Sequence, residues 1–584
     1  MITGEKFNPF LRYGQKGRTA MKNTNRNKIT KLMAICTSLI ISTGMLTSCG
    51  AGDKSDSYRS NGNNGINNTQ QQNITGNNKY ENKGDMTENN GMDNNEAMEA
   101  QMPDDYINTE EYNKIIENEF LSVAEHPLST FSTDVDTASF TNIRRMIDNR
   151  ENINPDAVRT EEFINYLKYS YPQPDGDDKI SITTEFSDCP WNDDSKLMLV
   201  GIQAKDIETK DIDSNIVFLI DVSGSMNSYD KLPLVQEAFR MLAENLSEND
   251  RISIVTYAGS DQVVLKGESG ANQSEICNAL DSLEAGGSTA GAAGINTAYE
   301  IAQEYFIEGG NNRVILATDG DLNVGLSSEE ELTELIEEKR DNGVFLSVLG
   351  FGTGNYKDNR LEALADNGNG NYAYIDSVDE AERVLVTEFS GTMFTVAKDT
   401  KVQVEFNPNN VSYYKLVGYE NRLLNDEDFE DDTKDAGDVG SGQQVTALYE
   451  IILNGNANTS GSGKTLKYQT DVSYPTKEVP ENTDDLDGEL LTVSIRYKEA
   501  DEDNSKLIDK AVTMNSYVPF EENSNGITNL TYASTAAEFA MYLRGSSALP
   551  DDFNVVSLLD RFEKFGIDYN ELSNVINDYV NYYL

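Results

Sequence analysis

The stretch that decides the fold reads IVFLIDVSGS and covers residues 216–225. Its first five residues are all apolar and mostly β-branched or aromatic, which is typical of a strand buried on both faces. The run ends at Asp221, and Ser223, Gly224 and Ser225 follow at once. A buried strand that leads directly into small polar residues predicts a parallel sheet with a ligand-binding loop at its carboxyl edge.

The same kind of pattern continues to about residue 392. Apolar strand patterns alternate with amphipathic helix patterns, and the connections between them are short. The predicted strands are 216–220, 251–257, 313–318, 344–350 and 372–375, with a short edge strand at 263–266, and the predicted helices are 230–246, 273–283, 293–307, 328–342, 358–367 and 378–391. The predicted fold class is α/β, with a doubly wound, mostly parallel sheet flanked by β-rich and helical segments.

Three loops at the carboxyl edge of this sheet carry oxygen-rich side chains. They supply Asp221, Ser223 and Ser225 after the first strand, Thr289 after the helix at 273–283, and Asp319 after the strand at 313–318. Oxygen ligands with two acids and no His or Cys suit a hard divalent cation, Mg²⁺ in the first place, or Mn²⁺ or Ca²⁺. We expect the serines to bind directly, the threonine directly or through water, and the aspartates largely through water. One position then faces solvent, where a ligand carboxylate could complete the coordination.

These residues resemble the metal-ion-dependent adhesion site (MIDAS) of the von Willebrand factor type A domain. The Asp-x-Ser-x-Ser element of that family, its threonine, and the second aspartate in a Thr-Asp-Gly turn correspond here to Asp221, Ser223, Ser225, Thr289 and Asp319. Ser288 is the poorer candidate for the threonine position. The resemblance implies a metal site that accepts an acidic side chain. The alternative is that the serines only cap a helix and that Asp319-Gly320 forms an ordinary turn.

The segments on either side are predicted to be β-rich with helices. They contain predicted helices at 111–124, 155–169, 532–545 and 553–583, predicted strands at 179–187, 196–204, 401–406, 444–453 and 490–497, and an acidic loop at 425–441. We expect the strands near 180–204 to pair with the strand at 401–406, which would make the α/β domain an insertion. Three independent domains in a row are the alternative. The predicted domains are an N-terminal helical and β segment (105–210), the A-like domain (211–395) and a C-terminal β-rich domain that ends in helices (396–584).

The N-terminus carries the features of an export signal. A basic stretch, residues 22–31, precedes an apolar run of about 14 residues, which is too short to span ~30 Å of hydrocarbon comfortably. Residues 1–48 are therefore predicted to be a signal peptide, with a short membrane anchor as the alternative. Leu46 to Cys49 resemble the bacterial lipobox, which implies lipidation of Cys49.

Residues 49–104 are predicted to be a disordered tether, because 51–100 contain thirteen Asn and no Leu, Val or Phe. The sequence does not decide whether Met1 or Met21 is the start.

Composition and motifs exclude several functions. The 584 residues include 47 Lys and Arg against 99 Asp and Glu, a net charge of −52, which argues against nucleic acid as a partner. The only histidine is His126, which adjoins Pro127, and no phosphate-binding glycine loop is present. Residues 134–137 match the Asp-x-Asp-x-Thr motif of haloacid-dehalogenase-type phosphatases, but the preceding residues are too polar for a buried strand. A turn or helix-capping role is the better interpretation, and the chain is predicted not to be an enzyme.

Three flanking motifs extend the resemblance. FSTDVDTA at 131–138, GYENR at 418–422 and VTALYE at 445–450 resemble a group of bacterial envelope lipoproteins with one such A domain. The resemblance implies an exported protein that a lipid anchors to the membrane of the cell envelope. We expect a binding module whose metal site captures an acidic side chain of a protein partner. The alternative is a structural or assembly factor of the envelope in which the A domain is an interaction scaffold.

Overall fold

The computed structural model describes residues 109–584 except 135, 208–211, 288–290, 321–328, 355, 435, 455–487, 500–501, 503, 522–525 and 566–569. The predicted signal peptide (1–48), Cys49 and the predicted tether (49–104) lie outside the described residues. Within the described part of the chain, no helix combines the length and apolar character needed to cross a bilayer.

The N-terminal segment contains short strands and helices. Its elements are β1 (Leu121–Ser122), β2 (Leu128–Ser132), α1 (Ala138–Asp148), α2 (Thr160–Asn165), β3 (Ile180–Asp188) and β4 (Lys196–Ala204), with a 3-10 turn at Pro155–Ala157. The helix predicted at 155–169 is therefore shorter than expected.

The helix predicted at 111–124 is absent, and that prediction was wrong. The backbone there bonds to a distant segment instead: the Thr109 N–H donates to the Gly354 carbonyl at 2.9 Å, and the Glu111 N–H donates to the Tyr356 carbonyl at 3.1 Å. Ile116, one of the apolar residues at helical spacing, is 76% exposed. Helical spacing of apolar residues was misleading here because long-range backbone bonds fix an extended chain.

The central segment contains the predicted strand and helix succession. Its elements are β5 (Ser214–Asp221), α3 (Leu232–Glu244), β6 (Arg251–Tyr257), β7 (Asp261–Ser269), α4 (Gln273–Asp281), α5 (Gly291–Glu304), β8 (Asn311–Thr318), α6 (Glu329–Asp341), β9 (Phe345–Phe351), α7 (Asp358–Asn367), β10 (Tyr372–Ile375), α8 (Val378–Glu382) and α9 (Phe389–Met393). The strand order is β10-β9-β8-β5-β6-β7, and only the edge strand β7 runs antiparallel.

Both faces of this sheet are buried. Along β5, Ile216, Phe218 and Ile220 face one hydrophobic core with α3 and α4, whereas Val217 and Leu219 face a second core with α5, α6 and α7. A strand must be apolar at every position when helices cover both faces of the sheet. The predicted α/β fold class, with a doubly wound and mostly parallel sheet, is confirmed.

The C-terminal segment is β-rich and ends in helices. Its elements are β11 (Thr395–Phe406), β12 (Val411–Val417), β13 (Leu423–Leu424), β14 (Gly437–Gly440), β15 (Gln444–Leu453), β16 (Glu489–Glu499), β17 (Lys506–Thr513), α10 (Thr528–Arg544), α11 (Ser557–Phe565) and α12 (Glu571–Tyr583).

Strands from before and after the α/β segment share two sheets. The first sheet has the order β1-β12-β15-β4-β3, and the second has the order β13-β2-β11-β16-β17, with β14 beside β11. β4 pairs with β15, and β11 pairs with β2 and β16. The predicted pairing of 180–204 with 401–406 was therefore wrong, because alternation shows that a strand has a buried face but not which sheet it joins. The α/β segment nevertheless lies between strands of shared sheets. The domain boundaries given above stay predictions.

The two sheets pack as a sandwich, and helices cover one outer face. Along β4, Met198, Val200 and Ile202 face the core between the sheets, while Leu197 and Leu199 face a core with α1, α2 and α10–α12. β4 is thus apolar on both sides, as a strand between two packed layers must be.

Arg422, which lies between β12 and β13, joins the sandwich to the α/β segment. Its Nη1 lies 3.2 Å from Asp134 Oδ2 and 3.0 Å from Asp366 Oδ2. Its Nη2 lies 3.1 Å from Asp136 Oδ2 and 2.8 Å from Glu362 Oε1. The two N-terminal aspartates follow β2, and the other two acids lie on α7. One buried guanidinium therefore holds together three stretches that are far apart in the sequence.

A second guanidinium extends this cluster. Arg159 lies 3.0 Å from Glu162, 2.7 Å from Asp358 and 2.8 Å from Glu362, so that Glu362 contacts both arginines. Six carboxylates thus share two arginines, and repulsion among them favours the protonated forms. Burial raises the pKa of Asp358 to about 7. The attraction of Arg159 opposes this shift, and the repulsion of Glu362 adds to it. Burial and the charge of Asp134 likewise raise the pKa of Asp136 well above its ordinary range.

We predict that Arg422→Met destabilises the chain by about 3–5 kcal/mol at pH 8, because breaking a buried ion pair leaves unpaired carboxylates. The loss should shrink at pH 5, where carboxyl groups with raised pKa values hold protons and need no cation. Urea unfolding of the full chain at both pH values measures this.

The matched control is Arg240→Met. Arg240 pairs with Glu237 and Asp281, which are about half exposed, and such pairs contribute less than about 1 kcal/mol. Equal losses for Arg422→Met at pH 5 and pH 8 would contradict the account of the cluster.

Candidate metal centre

Neighbouring parallel strands bring the two predicted aspartates to the same edge of the sheet. β5 pairs in parallel with β8, and Ile220 lies opposite Ala317. Asp221 is the last residue of β5, and Asp319 directly follows β8. Both side chains are almost completely buried. The geometry predicted for this edge is therefore present for these two residues.

The turn after β5 fixes both oxygens of Asp221. Oδ1 accepts a hydrogen bond from the Ser223 N–H at 2.8 Å, and Oδ2 accepts one from Thr318 Oγ1 at 3.2 Å. A carboxylate held in this way is an anchored negative charge that can act on a cation through bound water.

The two serines provide the more open part of the site. Ser223 Oγ lies 2.9 Å from Ser225 Oγ, and Ser225 belongs to a short 3-10 helix, Gly224–Asn227. Ser223 is buried, whereas Ser225 is exposed. Of the two serines, Ser225 is therefore the one open to solvent, and it lies beside the buried Ser223.

The third predicted loop begins beside this turn. The Gly286 N–H donates to the Val222 carbonyl at 2.7 Å, and the Gly224 N–H donates to the Gly287 carbonyl at 3.2 Å. Gly287 has a φ of +86°, which favours glycine. Thr289 and its alternative Ser288 lie outside the described residues, so their ligand roles stay predictions.

A lysine that sequence reasoning missed contacts the second aspartate. Lys231 Nζ lies 2.8 Å from Asp319 Oδ2, and both side chains are buried. The Lys231 stem crosses Gly352, where a Cβ would come within 2.3 Å of the Lys231 Cε. The sequence contains no motif that would identify Lys231. It lies in the loop before α3, and only the folded structure brings it next to Asp319.

The site carries an excess of negative charge. Burial, and after it the charge of Asp319, raise the pKa of Asp221 to about 6, although hydrogen bonds from Ser223 oppose the shift. Carboxylate and hydroxyl oxygens are the donors that hard cations prefer, so the residues present fit a divalent ion such as Mg²⁺. Among the described residues there is no cluster of three or more His, Cys, Asp or Glu side chains arranged for a metal. A metal here would depend on hydroxyl ligands.

The other motifs take no part in this site. Asp134 and Asp136, from the phosphatase-like motif, bind Arg422, and Thr137 makes no side-chain cap to α1. Thr137 does occupy the N-cap position of α1, as the turn or helix-capping interpretation expects, but without a side-chain bond to the helix. His126 is exposed in the connection between β1 and β2. The paired acidic and arginine motifs at 131–138 and 418–422 meet in the fold, which their spacing alone did not reveal.

Comparison with known families agrees with this arrangement. Residues 215–387 match the family described as von Willebrand factor type A domain, and residues 106–199 match one described as von Willebrand factor. Residues 391–564 match the family described as uncharacterized protein YfbK, C-terminal. The central segment is therefore a von Willebrand factor type A domain.

A known relative matches most of the chain and not only the central segment. It is 40% identical over 452 residues to uncharacterized protein YfbK of Escherichia coli (strain K12), and the match covers 76% of this chain and 75% of the relative. The chain therefore belongs to the YfbK family.

Two further similarities cover different shares of the chain. Inter-alpha-trypsin inhibitor heavy chain H3 of Homo sapiens is 31% identical over 176 residues, or 28% of this chain and 20% of that protein. The solved structure of a von Willebrand factor type A protein from Catenulispora acidiphila covers 77% of this chain and 87% of its own, with 13% identity and a TM-score of 0.35.

We predict that Lys231→Met raises the affinity of the full chain for Mg²⁺ by on the order of tenfold or more. A positive charge a few ångströms from a bound cation opposes its binding, and the methionine also removes the ion pair that competes for Asp319. Isothermal titration calorimetry with MgCl₂ measures the change.

Lys231→Arg is the matched control, since it keeps the charge and should leave the Mg²⁺ affinity within a few-fold of that of the original chain. If the methionine variant binds Mg²⁺ no more tightly than the arginine variant, Lys231 does not compete with the metal. Thermal melting without Mg²⁺ checks that both variants fold.

Proposed function

We propose that this protein binds a protein partner through a divalent cation, preferably Mg²⁺, held by Asp221, Ser223, Ser225, Thr289 and Asp319. The observation that carries the proposal is the meeting of two buried carboxylates and two hydroxyls at one sheet edge, with Ser225 exposed. When bound, the cation supplies a positive charge and a vacant coordination position.

The proposed metal ligands indicate which chemical group of a partner could bind to the cation. The serine hydroxyls are neutral ligands, so a cation bound by them keeps enough positive charge to attract a further anion. An acidic side chain of another protein is such an anion. The chain itself carries a net charge of −52, which disfavours acidic partners except where a cation locally reverses the sign.

We further propose that the protein is exported and anchored by a lipid on Cys49 to the bacterial cell envelope. This rests on the basic stretch, short apolar run and lipobox-like residues before Cys49. The tether predicted at 49–104 would then extend the folded part away from the membrane.

We propose a binding role without catalysis. Asp221 has both oxygens engaged in hydrogen bonds, and Asp319 pairs with Lys231, so neither carboxylate is poised to accept a proton from a substrate. His126, the only histidine, lies in the sandwich, on a different part of the fold.

One observation favours a second candidate, a structural or assembly factor in which the A domain is a scaffold. Lys231 supplies Asp319 with a cation from within the chain at 2.8 Å. A site balanced in this way could hold the loops together without a metal. Partner capture would then be independent of Mg²⁺.

Calorimetry of the full chain with MgCl₂ tests the metal ligands. Asp221→Asn should abolish the binding heat, because the amide cannot balance the charge of the cation. Ser225→Ala should weaken binding by roughly tenfold, since water can replace one neutral ligand. Ser228→Ala is the matched control in the same loop and should bind as the original chain does. Equal binding by all three variants would refute the ligand assignment.

Affinity capture from envelope extracts tests the partner role. The original chain and Ser228→Ala should retain the same protein in MgCl₂ and lose it in EDTA, while Asp221→Asn should retain none under either condition. Capture that survives both EDTA and Asp221→Asn would instead support the scaffold function.

A further inference from the structure

A cavity of about 250 Å³ lies between the α/β sheet and the sandwich, away from the metal site. Arg313, near the amino end of β8, lines it, whereas Asp319 follows the carboxyl end of the same strand. Six residue-to-residue steps of about 3.3 Å separate these positions by about 20 Å. The cavity wall includes Asp134, Asp366 and Arg422. It therefore lies where the flanking motifs meet the α/β domain.

Arg313 is the unusual group in this wall. Its side chain is only 2% exposed, yet the described residues place no carboxylate within ion-pair distance of it. Nη1 donates to Ser347 Oγ at 2.7 Å, and Nε is enclosed without an acceptor. The guanidinium lies over the Phe345 ring, and Asp438 stabilises its charge at longer range. A buried guanidinium so weakly compensated is a strong site for an anionic group.

The opposite charge lies in the same wall. Asp134 and Asp366 both contact Nη1 of Arg422, at 3.2 and 3.0 Å, and this arginine is shared with Asp136 and Glu362. Burial and the charge of Asp134 raise the pKa of Asp366 well above its ordinary range, so an added cation beside this pair would favour the deprotonated carboxylates. The pair that lines the cavity is therefore a site for a second cationic group.

Neutral amides complete the lining. Asn369 and Asn371 both border the cavity. Side-chain amides can donate to and accept from a polar ligand. The wall thus offers a cation, an acidic pair and neutral hydrogen-bonding groups within a small volume.

We propose that this cavity binds a small zwitterion of amino-acid size, with its carboxylate at Arg313 and its ammonium group at the Asp134–Asp366 pair. The volume suits a free α-amino acid or a dipeptide rather than a larger ligand. The site is separate from the metal centre, so it does not depend on the proposed function.

Calorimetry of the full chain with four probes tests the charge requirement. L-alanine and the dipeptide alanyl-alanine carry both charges, and at least one of them should bind; which one binds separates a free amino acid from a short peptide. N-acetylalanine lacks the ammonium group and alanine amide lacks the carboxylate, so each should bind at least about tenfold more weakly. No binding by either zwitterion, or equal binding by all four probes, overturns the proposal.

Two substitutions test the residues. Asp366→Asn removes one of four carboxylates from Arg422 and so should leave the fold intact, but it should weaken zwitterion binding at least about tenfold. Arg313→Gln should weaken binding as much, with thermal melting as the check on folding. Asp341→Asn, an exposed acid on the neighbouring helix α6, is the matched control and should change nothing. Unchanged binding by Asp366→Asn overturns the proposal, whatever the stability of the Arg313 variant.

Discussion

The packing of the sandwich against the α/β domain is built around the buried bonds of Arg422 to four carboxylates. Asp134 and Asp136 follow β2, and Glu362 and Asp366 come from α7. Bringing so many acids together costs free energy unless a cation lies among them. The guanidinium meets that requirement and makes the position of each segment depend on the others. Geometry at one edge of the α/β sheet is in this way linked to a defined contact with the sandwich.

At the metal site, too, buried carboxylates require nearby positive charge, but fewer groups are involved. Parallel pairing of β5 and β8 forces Asp221 and Asp319 to emerge side by side, and the fold then needs positive charge at that edge. Lys231 contributes one such charge from within the chain, and the exposed Ser225 leaves room for another from solution. Under the proposed function, the balance between these two sources would decide between a metal-dependent receptor and a fixed scaffold.

The local hydrophobic pattern was enough to predict those parts of the fold that depend only on which residues are buried. The apolar run at 216–220 is a strand because both of its faces are covered, and the two aspartates follow from strand order. The predictions that failed concern features that depend on long-range contacts. The stretch 111–124 has helical spacing, but Glu111 bonds to the distant Tyr356. Lys231 and Arg422 likewise find their partners only across the fold. Periodicity carries no information about such distant partners, so neither cation could be placed from the sequence.

The sharing of two sheets by strands from both ends of the chain has a mechanical consequence. The A domain leaves the sandwich after β4 and returns to it at β11, so two covalent connections join them. A tensile load applied at the outer edge of the A domain would divide between these two connections. Each would pull on a strand, β4 or β11, that is hydrogen-bonded to neighbours on both sides. Force would thus act on the interior of each sheet instead of peeling away a strand at its margin.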